Sequence, residues 1–334
     1  MKKQLLMVIS ILALVFVSAC GANEANGENE LEKIIFADAG WDSIRVHNRI
    51  AATILEEGYG YKTDVTAGST AATFQGLRQG DIQVYMEVWT NNIKQVYNEA
   101  LDQGEVKEVS VNFDDNSSGL WVPTYVIEGD KERGIEPIAP GLKTVEDLKN
   151  YAHIFKDPEQ PEKGRIIGAP SGWESSKIIE QKVETYGLEA TYNYFRPGSD
   201  SAIVSSLASA YKSGEPWVGY YWSPTWVTSL YDMTLLQEPE YDPEVWKETK
   251  GTQTPPNTVT VAVHQALATQ APEIVDFLSQ YKTSSQLTGD ALVYLEKNDA
   301  SPKETANWWL KKHQDVWGKW VEKEVKNKVL KAIK

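Results

Sequence analysis

The sequence of 334 residues predicts an α/β protein, because strand-like and helix-like patterns alternate along most of the chain. Short apolar runs of strand length are separated by longer segments in which apolar residues recur every three or four positions. Apolar residues make up 41% of the chain and charged residues 24%, as in an ordinary folded protein. A βαβα order of this kind implies a mostly parallel sheet with helices on both faces.

The first elements set a pattern that the rest of the chain continues. Residues 33–37 form an apolar run that predicts a strand, and residues 43–57 carry an apolar stripe at helical spacing. Gly58 and Gly60 end this helix, and Gly80 ends the next one. By the same criteria the predicted strands are 33–37, 62–66, 82–88, 120–127, 165–169, 217–222 and 259–263. The predicted helices are 43–57, 70–79, 145–151, 175–186, 202–213, 272–281 and 284–297. The last segment, 303–331, is predicted to be largely helical.

The N-terminus has the pattern of a secretory signal peptide. Two lysines precede a mostly apolar run of 13 residues, from Leu5 to Val17, which is shorter than the roughly 20 residues that span a bilayer. Small residues then lead to Cys20, and a cysteine at this place resembles the lipobox of bacterial lipoproteins. The resemblance implies removal of residues 1–19, acylation of Cys20 and anchoring on the outer face of the cytoplasmic membrane. The alternative is an ordinary signal peptide with a cysteine near its cleavage site.

Charge and motifs argue against several classes of function. Lys and Arg total 33 against 47 Asp and Glu, a formal charge of −14, which argues against a nucleic-acid partner. The single cysteine excludes an intramolecular disulfide and a multi-cysteine zinc site. The four histidines lack a metal-binding spacing, and no nucleophile elbow, phosphate-binding loop or dinucleotide fingerprint is present. We therefore expect no enzyme activity, no metal and no cofactor.

Four of the 12 tryptophans lie at or shortly after the ends of predicted strands. Trp41, Trp89, Trp173 and Trp222 lie at or just beyond four strand ends, where α/β sheets bind their ligands. Rings that converge on one cleft would attract a quaternary ammonium group, which has no N–H donor but binds ring faces. Each tryptophan by itself is more typical of packing, but the four together predict an aromatic cage.

The order and spacing of several motifs resemble the glycine betaine/choline-type substrate-binding proteins of ABC importers. The motifs are the lipobox, residues 36–43 (FADAGWDS), 55–61 (LEEGYGY), 80–82 with 87–89 (GDI and EVW), 172–173 (GW) and 221–226 (YWSPTW). The resemblance covers nearly all of the chain after the signal peptide. It implies a two-lobed, periplasmic-binding-protein-like α/β fold with a ligand cleft between the lobes, and an ABC permease as partner.

The resemblance also implies a division of the chain. Residues 1–19 are the signal peptide, and residues 20–31 are the acylated cysteine and a tether without large apolar residues, apart from Leu31 at its end. Lobe one comprises residues 32–120 plus 258–334, because the elements after residue 257 resemble the family's return to the first lobe. Lobe two comprises residues 121–257.

Ligand-binding residues follow from the resemblance position by position. Trp89, Trp173 and Trp222 match the cage tryptophans of the family, and Trp41 resembles an extra cage residue of the choline-binding branch. Glu174 and Ser175 follow Trp173 at the start of a predicted helix, and are implied to bind the ligand's carboxylate through backbone N–H groups.

Two carboxylates leave the identity of the ligand open. Strand alternation puts Glu87 on the same side as Trp89, and Glu174 lies beside Trp173. A carboxylate that faces the cleft would favour a net cation, and the alternative is that both face solvent or form salt bridges. We expect glycine betaine or a related quaternary ammonium osmoprotectant, with a choline- or carnitine-preferring protein as the alternative. From other classes, a lipid-anchored glycan-binding protein or enzyme and a purely structural lipoprotein remain open.

The tryptophans near the C-terminus are interpreted as structural. Trp309, Val316 and Trp320 follow one another at steps of seven and four, which predicts one apolar stripe docked on the first lobe. Trp246 is expected in an acidic, proline-flanked loop.

Overall fold

The computed structural model describes Leu31 and residues 33–334. Ten strands in this part of the chain form two separate five-stranded sheets. The predicted signal peptide, Cys20 and nearly all of the predicted tether lie outside the described residues. The strands are β1 (Ile34–Asp38), β2 (Thr63–Ala67), β3 (Val84–Trp89), β4 (Val106–Phe113), β5 (Ser117–Pro123), β6 (Gly164–Ile167), β7 (Tyr192–Phe195), β8 (Gly219–Ser223), β9 (Met233–Leu235) and β10 (Val259–His264).

Helices cover the sheets and form the C-terminal part of the chain. They are α1 (Asp42–Ile54), α2 (Thr70–Gln79), α3 (Lys94–Asp102), α4 (Tyr125–Glu128), α5 (Glu174–Thr185), α6 (Asp200–Ser213), α7 (Trp226–Leu230), α8 (Pro243–Thr249), α9 (Leu267–Gln270), α10 (Pro272–Gln280), α11 (Ser285–Lys297), α12 (Pro302–Lys312), α13 (Gln314–Trp317) and α14 (Lys323–Ala332). None of these described helices is both long enough and apolar enough to cross a bilayer.

The two sheets are mixed, so the expectation of a mostly parallel sheet is wrong for half of the strand pairs. The first sheet has the order β2-β1-β3-β10-β4 and the second the order β7-β6-β8-β5-β9. In the first sheet β1 is parallel to β2 and β3, but β10 is antiparallel to β3 and β4. In the second, β6 is parallel to β7 and β8, whereas β5 is antiparallel to β8 and β9. The strands that enter a sheet by crossing from the other one are β5 and β10, and no βαβ connection fixes their direction.

The chain crosses between the sheets twice, and we refer to each sheet with its helices as a lobe. The first crossing follows β4 at residues 114–116, and the second lies between β9 and β10. The predicted boundary between residues 120 and 121 therefore falls inside β5, which belongs to the second sheet. Residues 31–334 nevertheless form one compact unit.

Several local expectations differ from the structure. The predicted strand 120–127 ends at Pro123 and is followed by helix α4, and the predicted helix 145–151 is a short 3-10 turn, Glu146–Asn150. Trp246 lies in helix α8 rather than in a loop. The predicted helix 303–331 is three helices, because a turn at His313 and the segment 318–322 interrupt it. Further elements that we did not predict are α3, β4, β7, α7, β9, α8 and α9.

The C-terminal tryptophans form part of the core of the first lobe. Trp309 is only 1% exposed and packs its ring against Trp320, with 5.9 Å between centroids. Trp320 in turn packs on Tyr281 at the end of α10, with 4.4 Å between centroids. This burial confirms the interpretation of Trp309 as a core residue.

Candidate functional site: an aromatic cavity between the lobes

All four tryptophans that end predicted strands line one cavity of about 620 Å³. Trp41 immediately precedes α1, and Trp89 is the last residue of β3, so both belong to the first lobe. Trp173 immediately precedes α5, and Trp222 lies in β8, so both belong to the second lobe. The cavity is therefore formed where the carboxyl ends of strands from both sheets face each other.

Three of the four rings form a chain of edge-to-face contacts across the cleft. Trp41 meets Trp173 with 6.1 Å between centroids and an interplanar angle of 83°, so this contact joins the two lobes. Trp173 then meets Trp222 with 5.3 Å between centroids at 74°. This perpendicular arrangement presents ring faces in different directions around one space, which is the geometry that surrounds a rounded cation.

Glu87 lies behind the cage and does not line the cavity. Its Oε1 accepts hydrogen bonds from the indole nitrogens of Trp41 and Trp89, both at 3.0 Å, and from Ser43 Oγ at 2.9 Å. Its Oε2 has no hydrogen-bond partner among the described residues. The carboxyl group thus fixes the orientation of both first-lobe tryptophans through a single oxygen.

The environment of Glu87 makes its charge costly. The side chain is 0% exposed, and this burial raises the pKa of Glu87 from 4.5 to about 7, although the hydrogen bonds from Ser43, Trp41 and Trp89 partly oppose the rise. Glu87 forms no salt bridge within the described residues. A carboxyl group with this pKa changes its charge within the physiological pH range.

The start of helix α5 provides hydrogen-bond donors at the second-lobe wall. Glu174 and Ser175 are its first two residues and both line the cavity. Their N–H groups precede the intrahelical ladder and have no acceptor among the described backbone and side-chain groups, so they are available to an anionic group. The Glu174 carboxylate accepts a hydrogen bond from Lys177 at 2.9 Å, and Ser175 Oγ accepts one from Tyr220 at 2.9 Å.

Sequence reasoning missed part of the cavity wall. Tyr85 and Tyr220 also line the cavity. Tyr85 lies on the same face of β3 as Glu87 and Trp89, and Tyr220 lies on the same face of β8 as Trp222. The alternation that pairs Glu87 with Trp89 could have identified Tyr85. The turn between β3 and α3 was missed together with α3 itself. The turn contributes Asn91, Asn92 and Ile93 to the wall, and the first residues of α3 contribute Lys94, Gln95 and Val96.

A second acidic group lies at the contact between the lobes. Asp200 begins α6 in the second lobe, and Asp42 begins α1 in the first. Burial and, to a smaller extent, the charge of Asp42 raise the pKa of Asp200 to about 7, although Arg45 partly opposes the rise. No group of three or more His, Cys, Asp or Glu side chains in the described part of the chain could hold a metal ion.

The fold and the cavity define the class of this protein. Two α/β lobes with a cleft between them are the architecture of periplasmic-binding-protein-like ligand receptors, and the cleft here is lined with aromatic rings from both lobes. The chain belongs to the family described as the substrate-binding domain of ABC-type glycine betaine transport systems, whose model matches residues 32–312. The resemblance drawn from the sequence motifs is thereby confirmed.

Several characterised proteins are similar to this chain. The trimethylamine N-oxide-binding protein of Pelagibacter ubique is 23% identical over 94% of this chain and 98% of that protein. The glycine betaine/carnitine transport binding protein GbuC of Listeria monocytogenes is 25% identical over 47% of this chain and 49% of its own length.

Solved structures agree on the fold. A choline-binding protein of an ABC transporter, in complex with choline, has a TM-score of 0.71 at 22% identity, covering 91% of this chain and 98% of that one. Lactococcal OpuAC, closed around glycine betaine, has a TM-score of 0.67 at 21% identity, covering 87% of this chain and all of the other.

Proposed function

We propose that this chain is an extracytoplasmic binding protein that captures a trimethylammonium compound, glycine betaine first, and delivers it to an ABC permease. The observation that carries the proposal is the convergence of four indole rings from two lobes on one cavity. A methylated ammonium cannot donate an N–H hydrogen bond, so ring faces are its natural partners, at about 0.5–2 kcal/mol each.

The two ends of a betaine match two walls of the cavity. In this proposal Trp41, Trp89, Trp173 and Trp222 surround the methyl groups, and the N–H groups of Glu174 and Ser175 bind the carboxylate at the start of α5. The positive end of the helix dipole favours an anion at this place. The Glu174 side chain is turned to Lys177, so it is the backbone of Glu174 that takes part.

Choline, carnitine and trimethylamine N-oxide are the alternative ligands. Relatives named for carnitine and trimethylamine N-oxide belong to the same set of similar proteins. The buried carboxyl of Glu87 behind two cage rings favours cationic character in the ligand head group. A zwitterion and a net cation both satisfy this requirement, because both carry the trimethylammonium group.

The place of the protein at the membrane is part of the proposal. A relative from Dickeya dadantii is named as a glycine betaine-binding periplasmic protein, and it is 23% identical over 54% of this chain and 58% of its own length. We propose acylation at Cys20 and a tether over residues 20–31. The tether would let the lobes reach the permease while the lipid holds them at the membrane.

A ligand screen tests this function. The thermal unfolding of the purified protein is followed with glycine betaine, proline betaine, choline, carnitine, trimethylamine N-oxide and plain sugars. We expect stabilisation by at least one methylated ammonium compound and none by the sugars. Stabilisation by sugars alone would instead support a glycan-binding protein, and no stabilisation by any compound would support a structural lipoprotein.

A further inference from the structure

Glu87 is a buried carboxyl group whose two oxygens differ sharply in their hydrogen bonding. It is completely buried, one of its oxygens accepts three hydrogen bonds, and the other accepts none from the described residues. Two of the three donors are the indole N–H groups of Trp41 and Trp89, whose rings line the cavity. A neutral amide oxygen could accept the same three bonds, so these bonds alone do not explain a carboxyl group at this position.

No cation in the described structure neutralises Glu87. Burial raises the pKa of Tyr85 on β3 and of Tyr281 at the end of α10, and the charge of Glu87 adds to the rise of both. His47 on α1 shares a hydrogen bond with Tyr281, and burial lowers the pKa of His47 to about 3, so this ring is neutral at physiological pH.

The other ionisable groups of the packed elements are engaged elsewhere or lie at element ends. In α1, Arg45 pairs with Asp38 and Asp42, and Arg49 pairs with Glu56. In α2, Arg78 pairs with Glu105. His264 is the last residue of β10. The charged residues on the cavity wall itself are Lys94, Glu174 and Lys177, of which the last two pair with each other.

We propose that Glu87 is the counter-charge of the bound cation, so that binding a cationic ligand releases a proton from molecules in which Glu87 is protonated. The proposal rests on the proposed function and adds to it a proton linkage and a preference for a positively charged head group over a neutral one of the same shape. The proton passes from the Glu87 carboxyl group to solvent buffer, and the ligand's positive charge replaces it as the balancing charge.

The negative charge of Glu87 increases the affinity of the cavity for a cation partly through the indole rings. A carboxylate that accepts the N–H of an indole polarises the ring, which makes its face more negative and strengthens its attraction for a cation. The charge of the carboxylate also attracts the cation directly in a cavity of low dielectric. By linkage, the cation stabilises the ionised form of Glu87 by the same free energy.

The position of the titration makes the linkage measurable. With its pKa raised to about 7, Glu87 in the free protein is about one-tenth ionised at pH 6 and about nine-tenths ionised at pH 8. If the cation binds the ionised form, its apparent affinity falls with the ionised fraction. We expect choline to bind about five- to tenfold more weakly at pH 6 than at pH 8, with release of about half a proton per choline at pH 7.

The test is calorimetric titration at pH 6, 7 and 8 in buffers of different ionisation enthalpy, which reports the number of protons released. The probes are choline and its neutral isostere 3,3-dimethyl-1-butanol, added to wild type and to Glu87→Gln. All measurements are repeated in an Asp200→Asn background, because Asp200 also titrates near pH 7 at the lobe contact. Glu87→Gln keeps an acceptor oxygen for the two indoles, so it is the matched test of charge.

The outcomes separate this inference from the proposed function. We expect Glu87→Gln to abolish the proton release and the pH slope, and to weaken choline by about tenfold or more at pH 8 while leaving the neutral isostere within about twofold. Equal losses for both probes, or unchanged proton release in Glu87→Gln, would overturn the inference and leave a structural role. If wild type binds neither choline nor any other methylated ammonium compound, the proposed function itself fails.

Discussion

At the level of single residues, the indole rings of the protein divide into those that line the cavity and those that build the core. Trp89 and Trp173 are half-buried on the cavity wall, whereas Trp309 is enclosed by the C-terminal helices. Identical side chains therefore have different roles, and the difference lies in what surrounds each ring. Substitution distinguishes the two roles.

We predict that Trp89→Ala, Trp173→Ala and Trp222→Ala each weaken binding of glycine betaine or choline by about 5- to 30-fold, because each removes one cation–π contact. Phenylalanine at the same positions should recover part of the affinity, since it restores a ring face. Calorimetric titration measures both effects. Trp309→Ala is the control, and it should instead lower the free energy of unfolding by about 3–5 kcal/mol. Wild-type affinity in all three cage variants would contradict the assignment of the cage.

Glu87 also has a predictable effect on stability, with a definite sign. Its pKa is about 7 in the folded protein and near 4.5 in the unfolded chain, so the folded protein holds the proton more tightly between these values. The contribution of Glu87 to the free energy of unfolding is therefore fully present below about pH 4.5, and this contribution is lost as the pH rises through 7. We predict that the free energy of unfolding falls by about 2–3 kcal/mol more in wild type than in Glu87→Gln between pH 5 and pH 8.

Denaturant titrations of the ligand-free protein measure this difference. Asp200→Asn serves as the comparison, because Asp200 also has a pKa raised to about 7 but lies at the lobe contact rather than behind the cage. Parallel pH profiles for wild type and Glu87→Gln would show that Glu87 does not titrate between pH 5 and pH 8. A fold that is less stable with Glu87 ionised than with it neutral is consistent with retention of the charge for binding.

At the level of elements, the start of α5 combines a cage ring with two free donors. Trp173 has an extended backbone, with φ −100° and ψ 141°, and the helix begins at the next residue. This conformation turns the indole towards the cavity while the N–H groups of Glu174 and Ser175 point out of the helix end. One short segment thus supplies contacts for both ends of a betaine.

We predict that Glu174→Pro selectively weakens glycine betaine, by about 10- to 100-fold, and leaves choline within about twofold. Proline is tolerated as the first residue of a helix, and the extended backbone of Trp173 suits the residue that precedes a proline. The substitution removes one N–H donor that choline, without a carboxylate, does not use. Glu174→Ala is the matched control, since it removes the side chain and its bond to Lys177 but keeps the N–H. Equal affinities of the two variants for glycine betaine would show that this N–H does not bind the ligand.

At the level of the whole molecule, the cavity depends on the relative position of the lobes. Trp41 and Trp173 belong to different lobes and are in edge-to-face contact, and the two chain crossings between the sheets are the covalent links between them. A ligand that touches all four rings must bridge the lobes, so its binding energy favours the arrangement in which the lobes are close.

We predict that saturating glycine betaine or choline reduces the radius of gyration in small-angle X-ray scattering, because it shifts the population towards closed lobes. Trp173→Ala should need a higher ligand concentration for the same compaction. A scattering curve that is unchanged at saturating ligand would mean that the lobes do not move on binding.

The sequence by itself determined the alternation of strands and helices, the ends of many elements and the four tryptophans that line the cavity. These features depend on local patterns: the helix 70–79 is bounded by Ser69 and Gly80, and strand ends place Trp89 and Trp222 at the ligand edge of a sheet. The resemblance of the motifs extended this local information to the family and the two-lobed fold.

Only the tertiary structure decided the direction of β5 and β10, the point at which the chain crosses between sheets, and the environment of Glu87. A strand that arrives from the other lobe has no local signal for its orientation, because its partners are distant in sequence. The partners of β5 in β8 lie about a hundred residues away, and those of β10 in β3 and β4 lie still further away. Glu87 could be placed on the side of Trp89 by alternation, but its burial and its bonds to Trp41 and Ser43 depend on α1, more than forty residues earlier. The charge of a buried group is set by everything packed around it, and that packing exists only in the folded chain.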